Sequence, residues 1–183
     1  MKKDLIKIAE TTLKILSKKN WNFLSLNDVK KKSKIKDFDE KIKYKNFLLK
    51  NINNYFDYTL SFKVKKIEQS DQKDMIFEIF MMRFDILQQN RNAINSIFRA
   101  FKTKPLELIF LLPSLLNSME IISKYVNISL YGILGQIKLK GLLIIYFSTF
   151  LIWIKDDSES LEKTMTALDR YLDQAGKIFK FIK

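Results

Sequence analysis

Apolar residues recur at helical spacing along nearly the whole chain. Leu5, Ile8, Ala9, Leu13 and Leu16 share one face of a helix predicted over 3–19, and Trp21 and Phe23 fall in the connection after it. Ser25 is placed to cap a short helix carrying Leu26 and Val29. Ile35, Phe38 and Ile42 fit one or two turns, and Phe47, Leu48, Ile52, Phe56, Leu60 and Val64 mark a longer helix over 45–66. After the polar break at Ser70-Asp71-Gln72-Lys73-Asp74, a helix over 72–90 turns Ile76, Ile79, Phe80, Phe84 and Leu87 inward. Another helical stretch covers 92–102. Pro105 suits the first position of a helix over 105–125, kinked at Pro113. A loop is predicted over 127–135. The helix after it, 136–154, is apolar nearly all round, which predicts burial on more than one side. Asp156-Asp157-Ser158 caps a last helix whose Leu161, Met165, Leu168, Leu172, Ala175, Phe179 and Ile182 form a heptad seam.

Composition narrows the chemistry. The 183 residues include no Cys and no His, which removes disulfides, thiol nucleophiles, zinc sites built on these ligands and imidazole catalysis. Only four glycines occur, none before Gly132, and only two prolines. A Gly-rich phosphate loop fed by an N-terminal strand is therefore excluded, and so few breakers favour an all-α chain. We expect no enzyme activity, no metal and no cofactor. Arg83, Asp85 and Glu120 interrupt apolar stretches. They read as exposed or ion-paired residues, with anchoring of a ligand head group as the alternative.

Charge is unevenly placed. Residues 1–66 hold 18 lysines against seven carboxylates, a net +11, whereas residues 67–183 add only +2 to the total of +13. A basic first third suits a polyanion, either nucleic acid or an anionic membrane. The start of the chain lacks the apolar region of a signal peptide, and the longest uncharged run, 141–154, is short for a bilayer span. The expectation is a cytoplasmic protein. The tail 176–183 alternates lysine with bulky apolar residues; it either continues the seam or lies on an anionic membrane surface.

Several short motifs in the first third carry a family likeness. Ile8-Ala9 with Leu13, Asn20-Trp21, Ser25-Leu26-Asn27-Asp28-Val29, Ile35 and Lys45-Asn46-Phe47-Leu48 resemble the DNA-binding head of the TetR family of bacterial repressors. The resemblance implies a three-helix helix-turn-helix head over 1–48, a fourth helix continuing to about 66, and an α-helical ligand-binding and dimerisation body over 49–183. It implies double-stranded DNA as partner, met by Ser25, Lys30, Lys31, Lys34, Lys36, Lys41, Lys43 and Lys45, with Lys32 beside them. The head departs from the family pattern in carrying Ser33 and Lys34 where Ala and Gly are usual. It also has Asp39 in place of the usual tyrosine, a shorter interval from Ile35 to Lys45, and no Arg before Arg83.

The remaining two thirds resemble a lipid-binding branch of the same fold, the ubiquinone-biosynthesis accessory proteins of mitochondria and alphaproteobacteria. The matching residues are Met82-Arg83-Phe84-Asp85-Ile86-Leu87, Arg91, Leu112-Pro113 with Leu116, Ser118-Met119, Gly141-Leu142, and the stretches 153–157 and 164–172. Two functions follow: a TetR-like regulator, expected to repress, with an apolar small-molecule effector, or an isoprenoid-lipid-binding accessory protein with a degenerate head. Phe77, Phe80, Phe84, Ile109, Leu112, Leu116 and Met119 either form plain core or line the apolar cavity that such a ligand needs. The last two helices read as a homodimer contact through Phe150, Trp153, Leu161, Met165, Leu168 and Leu172, with one buried and one amphipathic helix within a monomer as the alternative.

Overall fold

The structure, a computed structural model, describes residues 1–65, 70–102 and 105–181, with the side chains of 105–107 and of 178 onward outside that description. Among the described residues the regular structure is nine α-helices and two 3₁₀ segments, with no strand. The helices are α1 (Lys3–Leu16), α2 (Leu26–Ser33), α3 (Phe38–Lys41), α4 (Lys45–Val64), α5 (Gln72–Gln88), α6 (Arg91–Lys102), α7 (Leu112–Tyr125), α8 (Gly132–Trp153) and α9 (Glu162–Phe181). The 3₁₀ segments are Trp21–Phe23 and Pro105–Phe110.

Two compact units result. The first joins Met1–Ser61 to Ile86–Leu115, and the second joins Phe62–Asp85 to Leu116–Lys183. Within the first unit the first three helices are tied to α4 and α6. Asn51 Nδ2 donates to the Leu5 carbonyl (2.9 Å), and the Trp21 N–H donates to Ser96 Oγ (3.0 Å), which itself donates to the Lys19 carbonyl (3.0 Å). The Trp21 and Phe101 rings meet at 6.0 Å. The predicted inward faces are buried here: Ile8, Ala9, Leu13, Leu16, Val29, Phe38, Leu48, Ile52, Phe56 and Leu60. Phe47, predicted on the inner face, is exposed.

The second unit is built around Arg83, Phe80 and Phe84 of α5, all fully buried. Phe84 stacks on Tyr146 of α8 (5.4 Å) and Phe80 meets the same ring edge-on (5.6 Å). Arg83 Nε donates to the Tyr146 hydroxyl (3.1 Å) and Nη2 to Ser118 Oγ (3.4 Å). Burial of a guanidinium is costly unless such partners receive it, and these do so inside an apolar setting. Arg83 is thus not exposed, whereas Asp85 and Glu120 are. The α9 seam turns inward: Leu161, Leu168 and Leu172 are buried in the contact of α9 with α8.

Three boundaries differ from expectation. Gly135 lies inside α8, not in a loop: its N–H donates to the Tyr131 carbonyl (3.3 Å), and a Cβ there would collide with the Leu130 backbone. That glycine therefore permits a close chain approach and does not break the helix, while Gly132 takes the left-handed φ of 68° just before it. Pro113 sits in the first turn of α7, where its missing N–H costs nothing, so the expected helix over 105–125 is a 3₁₀ segment followed by a separate helix. Finally, α8 is buried along one face only. Leu139, Leu142, Ile145, Tyr146, Thr149 and Trp153 point inward, but Ile133, Leu134, Ile137, Ile144, Phe147 and Leu151 are exposed. By length and composition α8 would suffice to cross a bilayer; its inward face is nonetheless packed into the unit's core.

Candidate nucleic-acid interface

The basic surface of the first unit is organised by α2. Ser25 Oγ accepts from the Asp28 N–H (3.1 Å) and Asp28 Oδ2 accepts from the Ser25 N–H (3.2 Å), a capping box closed by residues three positions apart. Lys19 Nζ lies 2.7 Å from the same Asp28 oxygen. Its ammonium, and then the Ser25 N–H, hold the Asp28 carboxyl at about 2, well below the usual range. Ser25, selected as a DNA contact, therefore also starts the helix.

Helix α2 ends at Lys34, whose φ of 55° and ψ of 36° are left-handed. Glycine is the residue that takes this conformation without steric cost, so a lysine here carries strain on the order of 1 kcal/mol. The turn leads to α3, a single turn of four residues with Phe38 fully buried beneath it. Between Ile35 and Lys43 the charges balance: Lys36, Lys41 and Lys43 against Asp37, Asp39 and Glu40.

Four of the eight selected residues are engaged inside the unit, Ser25 in the capping box and three of the lysines. Lys30 pairs with Asp39. Lys41 lies 3.4 Å from Asp4 and 3.5 Å from Asp37. Lys45 donates to the Trp21 carbonyl and stands 4.8 Å above the Trp21 ring. Lys31, Lys34, Lys36 and Lys43 are exposed, as is Lys32. Tyr44, which sequence reasoning passed over, is 68% exposed between Lys43 and Lys45 and adds a hydroxyl donor to that edge. Its only sequence signal was an aromatic residue flanked by lysines. The arrangement offers mobile point charges suited to phosphate oxygens, without the arginine fork that reads guanine in the major groove.

The residues selected for a ligand cavity divide between the units. Ile109 and Leu112, in the first, are exposed. In the second, Phe80, Phe84 and Met119 are fully buried, and Phe77 and Leu116 half-buried. Tyr146 and Trp153 pack directly on Phe84, so part of the space assigned to a ligand is occupied by side chains. A groove of about 360 Å³ does occur in the first unit, lined by Glu10, Leu13, Lys14, Ser17, Tyr55 and residues 88–93. It is polar, unlike the expected cavity. Tyr55 donates to Glu10 there (3.3 Å), and burial, followed by the Glu10 charge, raises its pKa.

Of the residues selected for a dimer, Trp153, Leu161, Leu168 and Leu172 are core of their own unit, while Phe150 and Met165 remain half-buried. Of the last two helices, α8 is the one whose described residues include exposed large apolar side chains. The tail side chains expected to touch membrane lie outside the described residues. Among the described residues no group of carboxylates is placed to hold a metal.

No protein-family model matches this sequence, and no curated protein matches it. A solved structure does: the TetR transcriptional regulator from Nitrosomonas europaea ATCC 19718, 17% identical, with a TM-score of 0.71 over 93% of this chain and 96% of that one. At that identity the likeness speaks for architecture: the chain has the all-α, TetR-like fold.

Proposed function

We propose that the chain is a DNA-binding regulator of the TetR type, acting in the cytoplasm as a dimer, whose head grips duplex phosphates and discriminates weakly among sequences. The observation that carries this reading is the set of exposed lysines at the end of α2 and around α3, Lys31, Lys32, Lys34, Lys36 and Lys43, on a TetR-like fold. Weak discrimination follows from α3 itself. A recognition helix presents several side chains to base edges. Here it is one turn, and Asp37, Asp39 and Glu40 would face a groove rich in acceptors. The dimer is supported by the exposed Ile144, Phe147 and Leu151 of α8, which lie within the uncharged run 141–154 and suit an isologous helix contact.

The test is fluorescence anisotropy with duplexes of unrelated sequence across a salt series. Five phosphate-neutralising lysines predict a log–log slope of about −4.5 per head. Replacing Lys31, Lys34, Lys36 and Lys43 by Gln should flatten that slope by about 3.6 per head, leaving the circular dichroism unchanged. Absence of salt-dependent binding at micromolar protein would remove the DNA reading. An isoprenoid lipid retained in the native mass spectrum would then replace it with the accessory-protein alternative.

A further inference from the structure

From Ile121 to Lys155 the chain has no carboxylate at all, yet it carries Lys124, Lys138, Lys140 and Lys155. The structure places the turn before α8 and the first two turns of that helix in this stretch, and leaves their largest apolar side chains uncovered. Tyr131 is 93% exposed, Ile133 82% and Leu134 50%, and Ile137 is exposed beside them. Lys124 and Lys140 are exposed and Lys138 half-buried. Large apolar groups ringed by cations, with an aromatic hydroxyl at the edge, are the composition of a segment that rests in the headgroup region of a bilayer. We propose that this end of the second unit, residues 131–140, is a docking surface for an anionic membrane.

Charge separates this occupant from a second copy. An isologous contact lays a surface on itself. Over 141–154 that is harmless, since the run is uncharged, but a contact centred on 131–140 would lay its lysines on a stretch that holds no carboxylate. The start of α5, whose Gln72 donates to the Val126 carbonyl (3.1 Å), carries Asp71 and Asp74, and its Lys73 already engages Asp169 and Asp173 of α9 (2.7 Å each). There the Asp71 carboxylate is turned to its own helix, accepting from the N–H groups of Lys73 (2.6 Å) and Asp74 (3.1 Å). An anionic lipid surface supplies the negative charge that this stretch does not.

The experiment uses the full chain with phosphatidylcholine vesicles, with and without phosphatidylglycerol. The lysine-rich head also attracts anionic vesicles, so the decisive variant leaves charge unchanged: Ile133→Ser with Ile137→Ser, both at exposed positions. It should weaken binding to the anionic vesicles by about tenfold or more, with unaltered melting temperature. Tyr131→Trp supplies a depth probe, because Trp21 and Trp153 are buried and report little on the surface. Its emission should shift to the blue on adding anionic vesicles and be quenched by bromine-labelled lipid. Unchanged vesicle affinity in the double variant would overturn the proposal. So would a blue shift that appears with rising protein concentration and no lipid, which would assign the surface to a second copy.

Discussion

Asp28 in the first unit and Asp156 in the second are both held at about 2, and by opposite means. Asp28 is a surface carboxylate, lowered mainly by the Lys19 ammonium and then by the Ser25 N–H. Asp156 is fully buried. Burial pushes its pKa up, and hydrogen bonds from Ser158 and Thr164 more than offset this. Asp156 Oδ2 accepts from both the N–H (2.8 Å) and the hydroxyl (2.7 Å) of Thr164, fastening the first turn of α9 to the end of α8. The charge at Asp28 is therefore wet and exchangeable, whereas that at Asp156 is buried and fixed. Substitutions in the head should change binding more than stability, and those at Asp156 the reverse.

The largest expected effect tests the second half of that contrast. Asp156→Ala orphans the Thr164 N–H and hydroxyl in a buried setting, at a cost of about 2–3 kcal/mol. The melting temperature should fall by roughly 5–10 °C. Asp28→Ala should lower it less, by an amount that shrinks as salt rises. The pH dependence has a definite sign. The folded pKa of Asp156 lies below its ordinary value of 3.8, so the stabilisation is fully present above that value and is lost as pH falls towards 2. Its size is on the order of 2 kcal/mol. Denaturant unfolding of the wild type and of Asp156→Asn should therefore differ at pH 6 to 7 and draw together near pH 2, taken as about the bounds of that titration. Equal salt sensitivity at both sites would break the contrast.

How much of this was legible in the sequence depends on the range of the interactions. The helices are read from apolar spacing, and the α2 cap from Ser25 and Asp28, because both are local. Gly135 misled because a glycine permitting close approach looks the same in sequence as one that breaks a helix. Arg83 could not be placed, since its partners Ser118 and Tyr146 lie 35 and 63 residues away. The outward face of α8 was hidden for another reason: hydropathy that is high all round does not say which side is covered. In the head, the number of lysines was plain, but not their engagement. Lys30 and Asp39 meet across the turn, and Lys45 finds Trp21 across 24 residues.

A smaller effect sharpens the separation of stability from binding at one residue. Lys34→Gly removes the side chain that strains the left-handed turn, and should stabilise the chain by about 0.5–1 kcal/mol. It also removes one exposed charge, so the log–log salt slope for DNA should become shallower by about 0.9 per head. A variant that melts higher and binds DNA more weakly would show the lysine is kept for its charge despite the turn. Unchanged DNA binding would detach Lys34 from the interface.

The smallest effect asks whether the carboxylates of α3 restrain the head. Asp39 pairs with Lys30, and both side chains are substantially exposed, so the pair contributes little to stability. Its consequence for DNA is larger than its consequence for folding, because Asp39 both occupies a cation and adds a negative charge beside the phosphates. Asp39→Asn should leave the melting temperature within experimental error and raise affinity for any duplex roughly two- to fivefold at low salt. The gain should fade as salt rises, and it should be absent when Lys30 is also replaced by Gln. If the gain survives Lys30→Gln, Asp39 acts on the DNA directly by repulsion, and the pairing seen in the structure is incidental to binding. If no gain occurs, α3 lies away from the duplex and the contact belongs to the end of α2 alone.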